Sequence, residues 1–187
     1  MVWTAREERH MVVADELSKR ADNTSWSLSP PYYEWMLQQF GLQESDIVID
    51  PFSDETNHRG PVWFSRYIIP GSSGVDGFSQ KWVDTRSGSP VRALAFVHGP
   101  FSWMDKIIRK IREEQCDCIL ITPGPQADWV AQLRRLPVVK SVVLPQRLAL
   151  HPGVKKIVAG ARVAPGEVTS SQMDYLPTWA HLVRWPQ

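Results

Sequence analysis

Between Ala93 and Leu144 the chain alternates short apolar runs with amphipathic or mixed segments, and this alternation restricts the fold more than any other feature of the sequence. Ala93 to Val97, Cys118 to Thr122 and Val138 to Leu144 read as strands, the first two apolar enough to be covered on both faces. Between the first two, Met104, Ile107, Ile108 and Ile111 recur at i, i+3, i+4 and i+7, which predicts a helix from Ser102 through Glu114. Its stripe faces the sheet, while Lys106, Arg109, Lys110 and Arg112 lie away from it. Ser102 with Asp105 three residues on reads as a capping-box start. Gln126 to Arg135 reads as the next helix. Strand–helix–strand alternation predicts an α/β domain with a mainly parallel sheet and helices on both faces. Ligands of such sheets bind beyond the C-terminal ends of the strands. Two loops leave those ends with unusual chemistry: Asp50-Pro51-Phe52-Ser53, after a strand Ile47 to Ile49, and His98-Gly99-Pro100-Phe101.

The rest of the chain is less regular. A first helix is expected over Thr4 to Arg20, with Met11, Val12, Ala14, Leu17 and Ala21 on one stripe, broken by Asp22-Asn23-Thr24-Ser25. Ser29 followed by Pro30 starts a second helix, because proline costs nothing in the first turn, and Gly41 ends it. A long loop runs to Pro61, then a short strand covers Val62 to Phe64. Gly71-Ser72-Ser73-Gly74 and Thr85 to Pro90 are connections. Lys155 to Val163 and Ala180 to Trp185 read as final strands, an antiparallel edge pair.

Composition sets outer limits on function. Of 187 residues, 43% are apolar and 22% charged, enough for a real core. Lys and Arg total 21 against 20 acidic residues, a net charge of +1, which excludes a strongly basic nucleic-acid wrapper but not a local basic face. No apolar run approaches the roughly 18 residues of a membrane span, so the expectation is a soluble protein that is not an integral membrane protein. Met1 to Val13 carries Arg6, Glu7, Glu8 and Arg9 in place of an apolar signal region, and the two cysteines, Cys116 and Cys118, cannot make a disulfide scaffold. Both point to an intracellular, reducing compartment. Nine Trp and 15 Pro suit irregular, aromatic-pinned chain or anchoring at an interface with protein partners.

The order of several short motifs carries a resemblance. Trp26-Ser27-Leu28-Ser29-Pro30, Phe40-Gly41, Ile49-Asp50-Pro51-Phe52-Ser53, Asn57-His58, Phe64-Ser65 and Val75-Asp76-Gly77-Phe78-Ser79-Gln80-Lys81-Trp82 form a series continued by Phe101, Ile107 to Arg112 and Ile119 to Pro123. The series resembles the Dam-like domain of DIRS-type retroelement polyproteins, itself similar to phage DNA adenine-N6 methyltransferases. The stretch from Arg6 to Ser18 looks like the last helix of a retroelement ribonuclease H, and Leu176 to Trp185 like the closing segment of the same polyproteins. Residues 1–22 are then a ribonuclease H remnant that acts as a docking helix, and residues 23–187 a Dam-like domain.

The resemblance implies a Rossmann-like methyltransferase fold with S-adenosylmethionine at the switch point of the sheet. Asp50, Pro51 and Phe52 match the motif after the first strand that approaches the methionine end of the cofactor. In place of the usual glycine-rich turn stand Ser53, Asp54 and Glu55, and a strand-end aspartate also commonly caps a neighbouring turn or helix. His98-Gly99-Pro100-Phe101 match the catalytic loop, which in active enzymes reads Asn or Asp, Pro, Pro, aromatic. There a side-chain oxygen and a backbone carbonyl accept hydrogen bonds from the adenine amine while the ring stacks on the extruded base. Phe101 keeps the ring and Gly99 a carbonyl. His98 replaces the acceptor, and a protonated imidazole cannot accept. The loop reads as degenerate, and the cleft as one that no longer holds its cofactor.

Other motifs contribute little. Asp15 matches a metal-binding carboxylate of ribonuclease H, but that chemistry needs several carboxylates around two metals. Cys116 and Cys118 alternate at a strand entrance, so one at most is expected to point inward. They have no second pair to complete a zinc site, and His10, His58, His151 and His181 show no ligand spacing. There is no nucleophile elbow, Walker A or G-x-G-x-x-G pattern. The expected function is that of a retroelement-derived, catalytically degenerate methyltransferase-like protein serving as a structural or interaction subunit of a larger assembly. An active S-adenosylmethionine-dependent adenine methyltransferase, and a single-stranded nucleic-acid binder stacking bases on Phe101 and Trp103, are the alternatives.

Overall fold

A computed structural model describes residues 26–83, 93–124, 129–144, 150–152 and 178–186. The expected helix Thr4 to Arg20, with Asp15 and its docking role, the Thr85 to Pro90 connection and the Lys155 to Val163 strand lie outside them.

A seven-stranded sheet organises the described chain. In chain order its strands are β2 (Ile47–Asp50), β3 (Val62–Ser65), β4 (Gly74–Val75), β5 (Leu94–Val97), β6 (Cys118–Pro123), β7 (Val138–Leu144) and β9 (Thr178–Val183). They lie in the order β4-β3-β2-β5-β6-β9-β7. Pairings from β4 through β6 are parallel, whereas β9 runs antiparallel to both its neighbours. The expected α/β fold with a mostly parallel sheet is therefore observed. Of the expected final antiparallel pair, the Lys155 to Val163 strand lies outside the described residues, whereas β9 is antiparallel and internal, with β7 outermost among the described strands. A separate two-stranded sheet, β1 (Trp26–Leu28) with β8 (Leu150–Pro152), was not anticipated.

Helix α1 (Pro30–Phe40) starts as its prolines require and ends at Gly41, whose φ of 69° is the left-handed conformation that glycine adopts at little cost. It buries Tyr33, Met36 and Leu37 on one face of the sheet with Ile47, Leu94, Phe96, Ile119 and Ile121. Helix α2 (Met104–Glu114) lays the anticipated stripe of Met104, Ile107, Ile108 and Ile111 on the opposite face, against Ala95, Val97 and Leu120. Alternate strand residues thus go to different helices, as the pleat dictates. The capping box does not form. A 3-10 turn, Phe101–Trp103, leads into α2 without a side-chain cap, and the Asp105 carboxylate instead accepts a hydrogen bond from Gln132 Nε2 at 2.8 Å. Helix α3 is a single turn, Val130–Leu133; of the expected Gln126 to Arg135 helix, Trp129, Arg134 and Arg135 are turns and residues 126–128 lie outside the described residues.

Both cysteines are fully buried on the α2 face, contrary to the expectation of one at most. Residues two apart in an extended chain share a face, so the pair goes inward together. Asp117 between them binds the end of the described chain, accepting from Trp185 N at 2.9 Å and pairing with Arg184 at 3.2 Å.

Candidate functional site

Strand order reverses at β2: the chain steps outward to β3 and β4, then returns to the other side of β2 for β5. This is the switch point beyond which α/β sheets hold ligands. Asp50, at the end of β2, and His98, just past β5, come to the same end of adjacent parallel strands.

Asp50 is buried and spends its carboxylate on its own loop. Oδ1 accepts the Phe52 N–H at 3.3 Å and Oδ2 the Arg59 N–H at 3.0 Å, tying the two ends of the 51–59 segment together. Burial pushes the carboxyl up to about 7, against the lowering effect of these bonds. Arg59 then joins the loop to α1: Nη2 donates to the Leu28 carbonyl at 2.9 Å, and its guanidinium lies 4.3 Å over the Tyr33 ring.

Pro51 is buried under the 74–82 segment. A Cβ on Gly77 would lie 2.0 Å from the Pro51 carbonyl oxygen, so only glycine permits this approach. The approach brings rings together: Phe52 lies 5.0 Å from Phe78, 5.4 Å from Trp82 and 6.4 Å from Trp103. Trp82 is fully buried, with its indole N–H donating to Gly77 O at 2.7 Å and its backbone N–H to Glu114 Oε2 at 2.8 Å. The sequence reading of Lys106, Arg109, Lys110 and Arg112 as a solvated outer face holds only in part. Lys106 Nζ sits 3.8 Å from the Phe78 centroid, and Lys110, paired with Glu114 at 2.8 Å, lies 5.3 Å from that of Trp82. Arg109 and Arg112 remain exposed.

Across the switch point, Gly99 is buried against the same cluster. A Cβ there would meet Ile107 Cδ1 at 2.8 Å and Phe52 Cδ2 at 2.9 Å. His98 is half-buried, with its ring 6.3 Å from Phe96 and 6.2 Å from Phe101. Burial, helped by Arg59, holds the imidazole down to about 4, so it is neutral at physiological pH and keeps one nitrogen lone pair. Pro100 leads into the 3-10 turn, where Phe101 is half-buried against both cores and Trp103 is 38% exposed.

The sequence thus located Asp50, Pro51, Phe52 and His98 to Phe101 at one end of the sheet. It missed that Phe52 is an aromatic wedge between the two loops, and that Tyr33 and Arg59 belong to the same neighbourhood. It also missed a polar row across β6, β9 and β7. His181 Nε2 is 3.1 Å from Thr122 Oγ1, Ser141 Oγ is 2.7 Å from His181 Nδ1, and the imidazole stacks on Trp179. His58 stacks on Trp63 and shares a hydrogen bond with Gly60 O. Among the described residues no group of three or more His, Cys, Asp or Glu is placed to hold a metal ion, and no helix is long and apolar enough to cross a membrane. Comparison with known proteins finds no matching family model and no matching curated relative.

Proposed function

We propose that the chain is a retroelement-derived, methyltransferase-like protein whose grip on an adenine amine has degenerated, and that it serves as a structural or interaction subunit of a larger assembly. One observation carries this reading. Phe52 and Ile107 already occupy the space into which any side chain at position 99 would project, so the Pro-Pro backbone of an active catalytic loop does not fit without repacking. The Asp50 carboxylate points the same way, because both its oxygens are taken by its own loop. The methyltransferase-type fold is supported by a switch point between β2 and β5 and by the late antiparallel entry of β9 between β6 and β7.

A specific observation favours a second reading, that of a working S-adenosylmethionine-dependent adenine methyltransferase. His98 is neutral and makes no hydrogen bond among the described residues, leaving a nitrogen able to accept from an exocyclic amine. Titration calorimetry with S-adenosylmethionine separates the two. The degenerate cleft gives no heat of binding at millimolar cofactor. Micromolar binding that Asp50→Ala abolishes, with methyl transfer to unmodified DNA, overturns it.

A further inference from the structure

We propose that Ser141, His181 and Thr122 form a second site, in which Ser141 is a nucleophile that takes the acyl group of an activated ester or thioester. The site shares no residue with the strand-end crevice, so it stands whatever becomes of the methyltransferase-like reading.

Three strands build it. Ser141 lies directly across from His181 on the β7–β9 pair, and Thr122 reaches the same imidazole from β6. Ser141 is exposed, whereas His181 and Thr122 are buried, so the hydroxyl is reachable and its partners are held. The productive tautomer has Nε2–H donating to Thr122 Oγ1 at 3.1 Å and Nδ1 accepting the Ser141 O–H at 2.7 Å. This is the sequence of nucleophile, base and orienting group that activates a hydroxyl. Trp179 fixes the ring by stacking on it, 6.1 Å away and 3° from parallel. A second observation lies beside it: the indole N–H of Trp179, two residues along β9 and so on the same side of the strand, is buried with no hydrogen-bond partner among the described residues. It is a spare donor on the same face for an acyl oxygen.

The chemistry balances without a co-reactant. Ser141 Oγ attacks the carbonyl carbon as its proton passes to His181 Nδ1. The tetrahedral adduct expels the alkoxide, phenoxide or thiolate, which leaves with that proton, and the acyl group stays on Ser141. Burial holds the imidazole down to about 4, which keeps it neutral at pH 7 but makes it a weak base. A weak base demands a good leaving group. The class is therefore activated esters and thioesters, not amides.

The test treats the full chain with p-nitrophenyl acetate, follows intact mass and maps the acetylated peptide. One acetyl group on Ser141 is expected, and Ser141→Ala abolishes it. His181→Gln slows acetylation at Ser141 by about 100-fold, the usual contribution of a general base. Thr122 is a positioning residue: Thr122→Val slows the reaction and Thr122→Ser restores it, both compared well below the unfolding temperature of each folded chain. Acetylation of Ser141 no faster than at other exposed serines overturns the proposal. So does an equal rate in a folded Thr122→Val chain, which decides the matter even if His181→Gln does not fold.

Discussion

Burial holds the imidazoles of His98 and His181 alike down to about 4, so both are neutral, yet the two rings are positioned by different parts of the fold. His98 stands past the end of β5, in a loop positioned by aromatic packing, with its ring near Phe96 and Phe101 and without a hydrogen bond among the described residues. His181 stands inside β9, between two antiparallel partners, with both ring nitrogens in hydrogen bonds. A backbone ladder fixes side-chain position through regular pairing, whereas a loop depends on whatever packs beneath it. The strand-end site is therefore the more easily remodelled of the two, since its geometry rests on Phe52, Phe78, Trp82 and Trp103.

The contrast can be broken by removing that support. Trp82→Ala deletes a fully buried ring and is expected to cost about 3–5 kcal/mol in denaturant unfolding. Hydrogen exchange then rises at residues 98–103 and stays protected at 179–183. Equal loss in both regions would erase the distinction.

A smaller effect sharpens it through pH. The His181 pKa falls from 6.5 in the unfolded chain to about 4 in the folded one, so its stabilising contribution is complete above pH 6.5 and is lost as pH falls toward 4. The loss is on the order of 3 kcal/mol, at about 1.4 kcal/mol per unit. His181→Gln removes this dependence. The difference between parent and variant isolates it from Asp50, whose raised carboxyl pKa acts with the opposite sign in the same window. Identical slopes from pH 4 to 6.5 would contradict a buried neutral imidazole.

The smallest expected effect concerns the rim of the ladder. Ser141→Ala removes one hydrogen bond at an exposed position and should lower stability by about 1 kcal/mol or less. A loss several times larger would mean that the row bears weight in the fold.

Local patterns were readable because their cause is local. The stripe from Met104 to Ile111 fixes the buried face of α2, Ser29-Pro30 and Gly41 bound α1, and the apolar runs before Asp50 and His98 mark two adjacent strand ends. What escaped notice depends on partners distant in sequence. Trp26–Leu28 finds its partner strand at Leu150–Pro152, and nothing in either tripeptide names the other. The run around Ala180 reads as a strand, but its period does not say whether it lies at an edge or inside. Thr122, Ser141 and His181 come from three strands and have no motif spacing. Phe52 belongs to the Asp50-Pro51-Phe52 motif, but only packing shows that its ring abuts Gly99.

The internal place of β9 has a consequence for biosynthesis. β6 and β7 share no backbone ladder, because the strand that joins them is Thr178–Val183. While those residues are still within the ribosomal tunnel, β7 has no neighbour among the described strands of the sheet and the β6 flank lies uncovered. Closure of this half must wait for the 178–183 segment to emerge and slide between strands translated long before it.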